Sequence, residues 1–130
     1  EEHLKRFNHI DLFLDSFPYN AHTTCSDALR MGVPVLTLKG KSFASRVATS
    51  LLTTMDLNEL ITDNFTDYEK LAVKIGKDSN YLKYLKNKIL KNKIRSNVFK
   101  SKIFTKNLEE AYKKVYNNYV EGFDKTDIEL

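Results

Sequence analysis

Two short apolar runs flank a polar turn and a short helical stretch. Asp11-Leu12-Phe13-Leu14-Asp15 comes before Asn20-Ala21-His22-Thr23-Thr24-Cys25-Ser26-Asp27-Ala28-Leu29, and Val33-Pro34-Val35-Leu36-Thr37-Leu38 follows Gly32. Strand, turn, helix, glycine, strand is one unit of a parallel α/β sheet. The turn opens a helix at the carboxyl end of a strand, where such sheets bind ligands. A helix N-terminus with free N–H groups and neighbouring hydroxyls holds anions. His22, Thr23 and Thr24 therefore point to recognition of a phosphate or diphosphate.

The totals narrow the setting. The 130 residues suit one domain or part of a larger one, and 42% apolar content can build a core. No apolar run approaches the ~20 residues that span a bilayer. The opening Glu1-Glu2-His3-Leu4 lacks a Met, a basic start and an apolar stretch. It reads as an excised piece without a secretory signal. A single cysteine, Cys25, excludes an internal disulfide framework and fits a reducing compartment, with the cytoplasm as the expected location. Between Lys70 and Lys106 there are twelve Lys or Arg against one acid, Asp78. Because lysine dominates and Arg95 is the only arginine there, a solvated face is expected rather than a nucleic-acid surface.

Local signals place the elements. Residues 1–9 read as an amphipathic helix, 11–15 as a strand and Thr23 to Met31 as a helix that stops at Gly32. Pro34 sits at the start of the second strand, and Lys39-Gly40-Lys41-Ser42 is a turn. Phe43, Val47, Leu51 and Met55 recur every four residues and predict a helix over 43–55. Leu60-Ile61-Thr62 is a short third strand. Thr66-Asp67-Tyr68-Glu69 has the form of a capping box with Thr66 as N-cap. The next helix faces inward with Tyr68, Leu71, Ala72 and Ile75 and is expected to end at Gly76. Asp78 starts another, with Leu82, Leu85 and Ile89 inward. Residues 92–102 lack a period and read as a connector. Thr105 caps a last helix whose stripe of Leu108, Ala111, Tyr112, Val115, Tyr116 and Tyr119 reads as core. The organisation expected is a Rossmann-like half-lobe over 1–62, a helical part over 63–123 and a loose tail over 124–130. Two or three strands make too narrow a sheet for a complete nucleotide-binding domain, so further strands are expected before residue 1.

The run from His3 to Met55 resembles the C-terminal catalytic lobe of the O-linked N-acetylglucosamine transferases. The resemblance is carried by His3, Asp11, Leu14-Asp15, Asn20 to Thr24, Asp27, Gly32-Val33-Pro34 and Ala44-Ser45-Arg46-Val47-Ala48, with eighteen residues between His3 and His22. It continues through Tyr68 to Lys74, Tyr81-Leu82, Phe99 and Leu108-Glu109. The fold it implies is α/β: part of the Rossmann-like C-terminal lobe of a GT-B glycosyltransferase, followed by C-terminal helices. Ala21 and Cys25 stand where the animal enzymes carry glycine.

What the resemblance implies is a metal-independent, inverting transfer of N-acetylglucosamine from a UDP-sugar to a protein Ser or Thr. The substrate-binding residues would be His22, Thr23 and Thr24 at the diphosphate, Asp27 at the ribose and His3 against the uridine. No cofactor is implied. The general base, the acceptor site and a diphosphate-binding lysine would lie upstream, with helical repeats that bind the acceptor. No catalytic residue is expected within the chain, and the fragment alone should be inactive. The related O-fucosyltransferases share Phe17-Pro18-Tyr19 and Gly32-Val33-Pro34, and His22 favours a UDP-sugar over their GDP-fucose. A non-catalytic nucleotide-binding or interaction module is the alternative from another class. Asp11 and Asp15 are expected to hydrogen-bond at the strand edge, and Cys25 to be a small buried residue with no catalytic role.

Overall fold

The computed structural model describes residues 2–124. The chain forms two compact units, one up to Ser96 and one from Asn97 onward.

The first unit is built on a parallel sheet. A short helix α1 (Glu2–Lys5) and a 3-10 turn (Arg6–His9) lead to β1 (Phe13–Leu14), α2 (Thr23–Arg30) and β2 (Val35–Leu38). Then come α3 (Val47–Thr54), a 3-10 turn (Asn58–Leu60), β3 (Ile61–Thr62), α4 (Phe65–Lys77) and α5 (Ser79–Arg95). The strand order is β1-β2-β3. Phe13 pairs with Val35 and Leu14 with Leu36, while Thr37 pairs with Ile61 and Leu38 with Thr62. Both crossovers step the same way along the sheet, so the right-handed rule puts α2 and α3 on one face. The two helices do touch there.

Every side chain of β2 is buried, as a central parallel strand requires. Around it lie Leu29, Ala48, Leu52, Leu57, Leu60, Ile75, Leu85 and Ile89, all at most 1% exposed. Gly32 ends α2 as predicted. It takes φ +82°, and its N–H and that of Val33 return to the Leu29 and Ala28 carbonyls at 3.1 and 2.9 Å. This is the Schellman arrangement, which favours glycine at that position. Asp78 caps α5 as predicted, accepting from the N–H groups of Asn80 and Tyr81.

Four local expectations are corrected. The predicted helix over 43–55 begins only at Val47. Ser42 and Ser45 bond to each other and hold residues 42–45 in a turn instead. The N-cap of α4 is Asn64, not Thr66: its carbonyl accepts from Asp67 N–H at 2.9 Å and its amide donates to the Asp67 carboxylate at 2.7 Å. An asparagine can do both, which a threonine hydroxyl does less well. Gly76 does not stop α4, which continues to Lys77. The connector is shorter than 92–102, because α5 runs to Arg95. Asn92 is helical, and its amide donates to the Met55 carbonyl at 2.9 Å.

Gly76 is exposed, and a Cβ built on it would meet nothing within 4 Å. Gly76→Ala is therefore expected to stabilise the first unit by about 0.5–1 kcal/mol, through a less disordered unfolded chain. Urea denaturation checks this.

The basic stretch is partly structural. Lys86 pairs with Asp11 at 2.7 Å, Lys88 with Glu59 at 2.8 Å, and Lys93 donates to the Arg30 carbonyl at 2.7 Å. These contacts tie α5 to the segments just before β1 and β3 and to the end of α2.

The second unit holds α6 (Ser101–Val120). Thr105 lies inside this helix and does not cap it. The tyrosine stripe is not core: Tyr112, Tyr116 and Tyr119 are 66%, 66% and 79% exposed, and α6 buries no residue. Of the tail expected over 124–130, only Asp124 lies within the described residues. Among those residues, no helix is long and apolar enough to cross a membrane.

Candidate functional site

The site forms where the carboxyl ends of β1 and β2 release their chains. After β1, Asp15 is buried and organises the loop to α2. One carboxylate oxygen accepts from the N–H groups of Ser16 and Ala21, at 2.9 and 2.7 Å, and the other from the Thr37 hydroxyl at 2.7 Å. Burial pushes its carboxyl above the ordinary 3.8, against the opposing pull of those three hydrogen bonds and of nearby His22. Its backbone carbonyl takes the Tyr68 hydroxyl at 2.8 Å. The expected hydrogen-bonding role of Asp15 is thus present, reaching into the sheet.

This loop delivers His22 to the N-cap of α2, where its side chain makes no capping bond. The first backbone bond of the helix runs from Ser26 to the His22 carbonyl at 3.1 Å. Among the described residues, the N–H groups of Thr23, Thr24 and Cys25 have no protein acceptor. Both threonines are exposed. Three N–H groups at the positive end of a helix dipole are the arrangement that holds an anion.

Cys25 is fully buried, and burial with the nearby Asp15 charge pushes its thiol up to about 12. The helix terminus would lower it, but burial outweighs that, so no thiolate forms near neutral pH.

The predicted site residues fall into two groups. His3 and Asp27 meet, with His3 Nε2 3.3 Å from Asp27 Oδ2. Arg6, which sequence reasoning did not single out, donates to His3 Nδ1. With Nδ1 accepting, the ring proton sits on Nε2 and faces Asp27. His22 instead joins an aromatic group: Tyr19 stacks on it with ring centres 5.1 Å apart, and Phe43 meets it edge-on at 5.9 Å. Its Nε2 lies 3.5 Å from the Ala44 carbonyl. In the sequence Tyr19 stands out only within Phe17-Pro18-Tyr19, and Phe43 only as one of the residues spaced every four. Their signal is exposure of large aromatic rings, which sequence periodicity does not report.

Beside Phe43 opens a groove of about 510 Å³, lined by Arg46, Val47, Thr49, Ser50 and Leu51. No three His, Cys, Asp or Glu side chains gather as a metal-ligand set among the described residues.

Glycosyl transferase family 41 matches the chain over residues 1–108. The chain belongs to that family. A relative described as a probable UDP-N-acetylglucosamine–peptide N-acetylglucosaminyltransferase SPINDLY, from Petunia hybrida, is 33% identical over 121 residues. That alignment covers 93% of this chain and 13% of the relative. A Caenorhabditis elegans UDP-N-acetylglucosamine–peptide N-acetylglucosaminyltransferase is 33% identical over 122 residues, 94% of this chain and 11% of that one. Among solved structures, a variant of the Thermobaculum terrenum O-GlcNAc transferase superposes with a TM-score of 0.84 at 34% identity, over 90% of this chain and 22% of that one. The fold is therefore that of part of a GT-B catalytic region, as the sequence implied. The family-41 chain spans between about a tenth and a quarter of the length of these relatives.

Proposed function

We propose that this chain supplies the donor-binding part of a glycosyltransferase that moves N-acetylglucosamine from a UDP-sugar to a protein Ser or Thr. The observation that carries the reading is the start of α2: three unpaired N–H groups and two exposed threonine hydroxyls at the carboxyl end of a parallel sheet, in a family-41 chain. The diphosphate would lie on Thr23 and Thr24, with His22 beside it. Asp27 would accept from the ribose hydroxyls through the oxygen that His3 does not hold, and His3 would pack on the uridine.

In the reaction, the acceptor oxygen bonds to the anomeric carbon from the face opposite the diphosphate, inverting that centre. The bond from the anomeric carbon to the diphosphate oxygen breaks, and UDP leaves with the electron pair. The acceptor proton passes to a base supplied by another part of the protein. The α2 dipole and N–H groups would stabilise the charge developing on UDP, the logic of an oxyanion hole. They take the role that a divalent metal would otherwise fill. The acceptor groove and helical repeats belong to the rest of the protein, and the compartment proposed is the cytoplasm. On this reading the 130-residue piece alone transfers nothing.

The test is calorimetric titration of the longest chain carrying this segment with UDP, GDP and UDP-N-acetylglucosamine. UDP is expected to bind, with and without EDTA, in preference to GDP. A His22→Ala, Thr23→Ala double variant should bind UDP at least about 10- to 100-fold more weakly, the range for one lost hydrogen bond to a charged group. A well-folded chain that ignores UDP sinks the reading and favours an interaction module. Preference for GDP would move it to the fucosyl donor.

A further inference from the structure

His22 occupies an N-cap position without acting as a cap. No bond from its ring to the α2 backbone fixes its orientation. What touches the ring is aromatic. Tyr19 lies over one face at 5.1 Å and 20°, and Phe43 presents its ring at 5.9 Å and 84°. Both are favoured aromatic geometries. Tyr19 and Phe43 are nonetheless 66% and 75% exposed, so neither is there to fill the core.

The third contact is the Ala44 carbonyl. It accepts from Asn20 N–H at 3.0 Å and lies 3.5 Å from His22 Nε2. A carbonyl oxygen cannot donate, so Nε2 carries a proton. Nδ1 has no protein partner among the described residues. The loops after β1 and β2 therefore meet at one carbonyl, and the imidazole is held between them with a single nitrogen left over.

We propose that Tyr19 and Phe43 are positioning residues. They clamp the His22 ring with Nε2–H toward the Ala44 carbonyl, so that Nδ1, carrying a proton in the imidazolium form, donates to the diphosphate of the donor. This rests on the donor-site reading above. It adds that the aromatic clamp prepares His22 before the donor arrives. Tyr19 acts through its ring face, so its hydroxyl is dispensable.

The experiment compares UDP binding by the longest chain carrying this segment with that of its Tyr19→Phe, Tyr19→Ala and Phe43→Ala variants, each also made in a His22→Ala background. Tyr19→Ala is expected to weaken UDP binding about three- to tenfold, the worth of one aromatic pair, and Tyr19→Phe to bind as the parent does. With His22 already alanine, removing Tyr19 should weaken binding no further. Imidazole C–H resonances of His22, read without ligand, should lose a ring-current shift in Tyr19→Ala and keep it in Tyr19→Phe.

UDP binding by the parent with no loss in Tyr19→Ala overturns this proposal and leaves the donor site standing. An equal loss with and without His22 also overturns it, since Tyr19 would then act on the ligand or on the fold directly. Absence of UDP binding by the parent overturns both.

Discussion

Replacing Asp15 by alanine is expected to cost the first unit on the order of 2–4 kcal/mol, because one buried and two part-buried donors lose their acceptor together. Those donors are the N–H groups of Ser16 and Ala21 and the Thr37 hydroxyl. Thr37 is fully buried and keeps the larger share of that cost, whereas the two amides are part-buried and regain some hydration. A domain of this size has a total stability of roughly 5–15 kcal/mol, so the loss is a large part of it. Asp15→Asn should cost less. Its carbonyl still serves both amides, and its NH2 faces a hydroxyl that can reverse and accept. Urea denaturation of the two variants separates these cases.

The pH dependence of the same residue has a definite sign. Burial raises the Asp15 carboxyl in the folded chain above its ordinary 3.8. The native state therefore binds more protons than the unfolded state in the interval between the two values. The stability Asp15 contributes is fully present below 3.8 and is lost as pH rises through the raised native value. The stability difference between the parent and Asp15→Asn, which does not titrate there, should fall as pH increases across that window. A difference that grows instead would mean that the three hydrogen bonds outweigh burial.

What could be read from the sequence was what is decided within one turn of chain. Gly32 ends α2 because its positive φ is a local matter, and Asp78 caps α5 for the same reason. The spacing Phe43, Val47, Leu51, Met55 looked helical throughout. Yet a contact between Ser42 and Ser45, and the tie from Asn20 to Ala44, keep its first turn out of the helix. Periodicity shows that a stretch could be helical. It does not show which competing bonds prevent it. The α6 stripe makes the complementary point: spacing identifies an apolar face and says nothing of what covers it.

The site divided in the same way. The place of His22, Thr23 and Thr24 at the start of α2 was legible, because strand, polar turn and helix follow one another in sequence. The meeting of His3 with Asp27 spans 24 positions, and that of His22 with Phe43 spans 21, so only the tertiary fold reveals them. The first pair joins α1 to α2, and the second depends on loops at the sheet's carboxyl edge, whose shape comes from buried polar bonds and not from hydrophobic patterning.

The strongest test of that dependence is Gly40→Ala, expected to cost about 1–3 kcal/mol, the range for overpacking a filled site. The φ of Gly40 is ordinary, so the reason is space. A Cβ there would lie within van der Waals contact of Ser45 Oγ, 2.5 Å from Ser45 Cβ and 3.1 Å from a Phe17 ring carbon. Ser45 cannot move aside cheaply. It is 2% exposed, its carbonyl accepts from Gly40 N–H at 2.9 Å, and its hydroxyl bonds to the Ser42 carbonyl at 3.1 Å. Displacing Ser45 shifts Ala44 and Phe43, the two residues that hold His22 from this side. Gly40→Ala should therefore weaken UDP binding as well as stability. Adding Ser45→Gly removes the clashing atoms, so the double variant should be more stable than the sum of the two single losses predicts. Gly76→Ala is the control: the same atom added in open space is expected to raise stability, and denaturation curves for the two variants should move in opposite directions. If both shift alike, the loop after β2 is less tightly packed than its serine bonds imply, and the support it gives His22 fails with it.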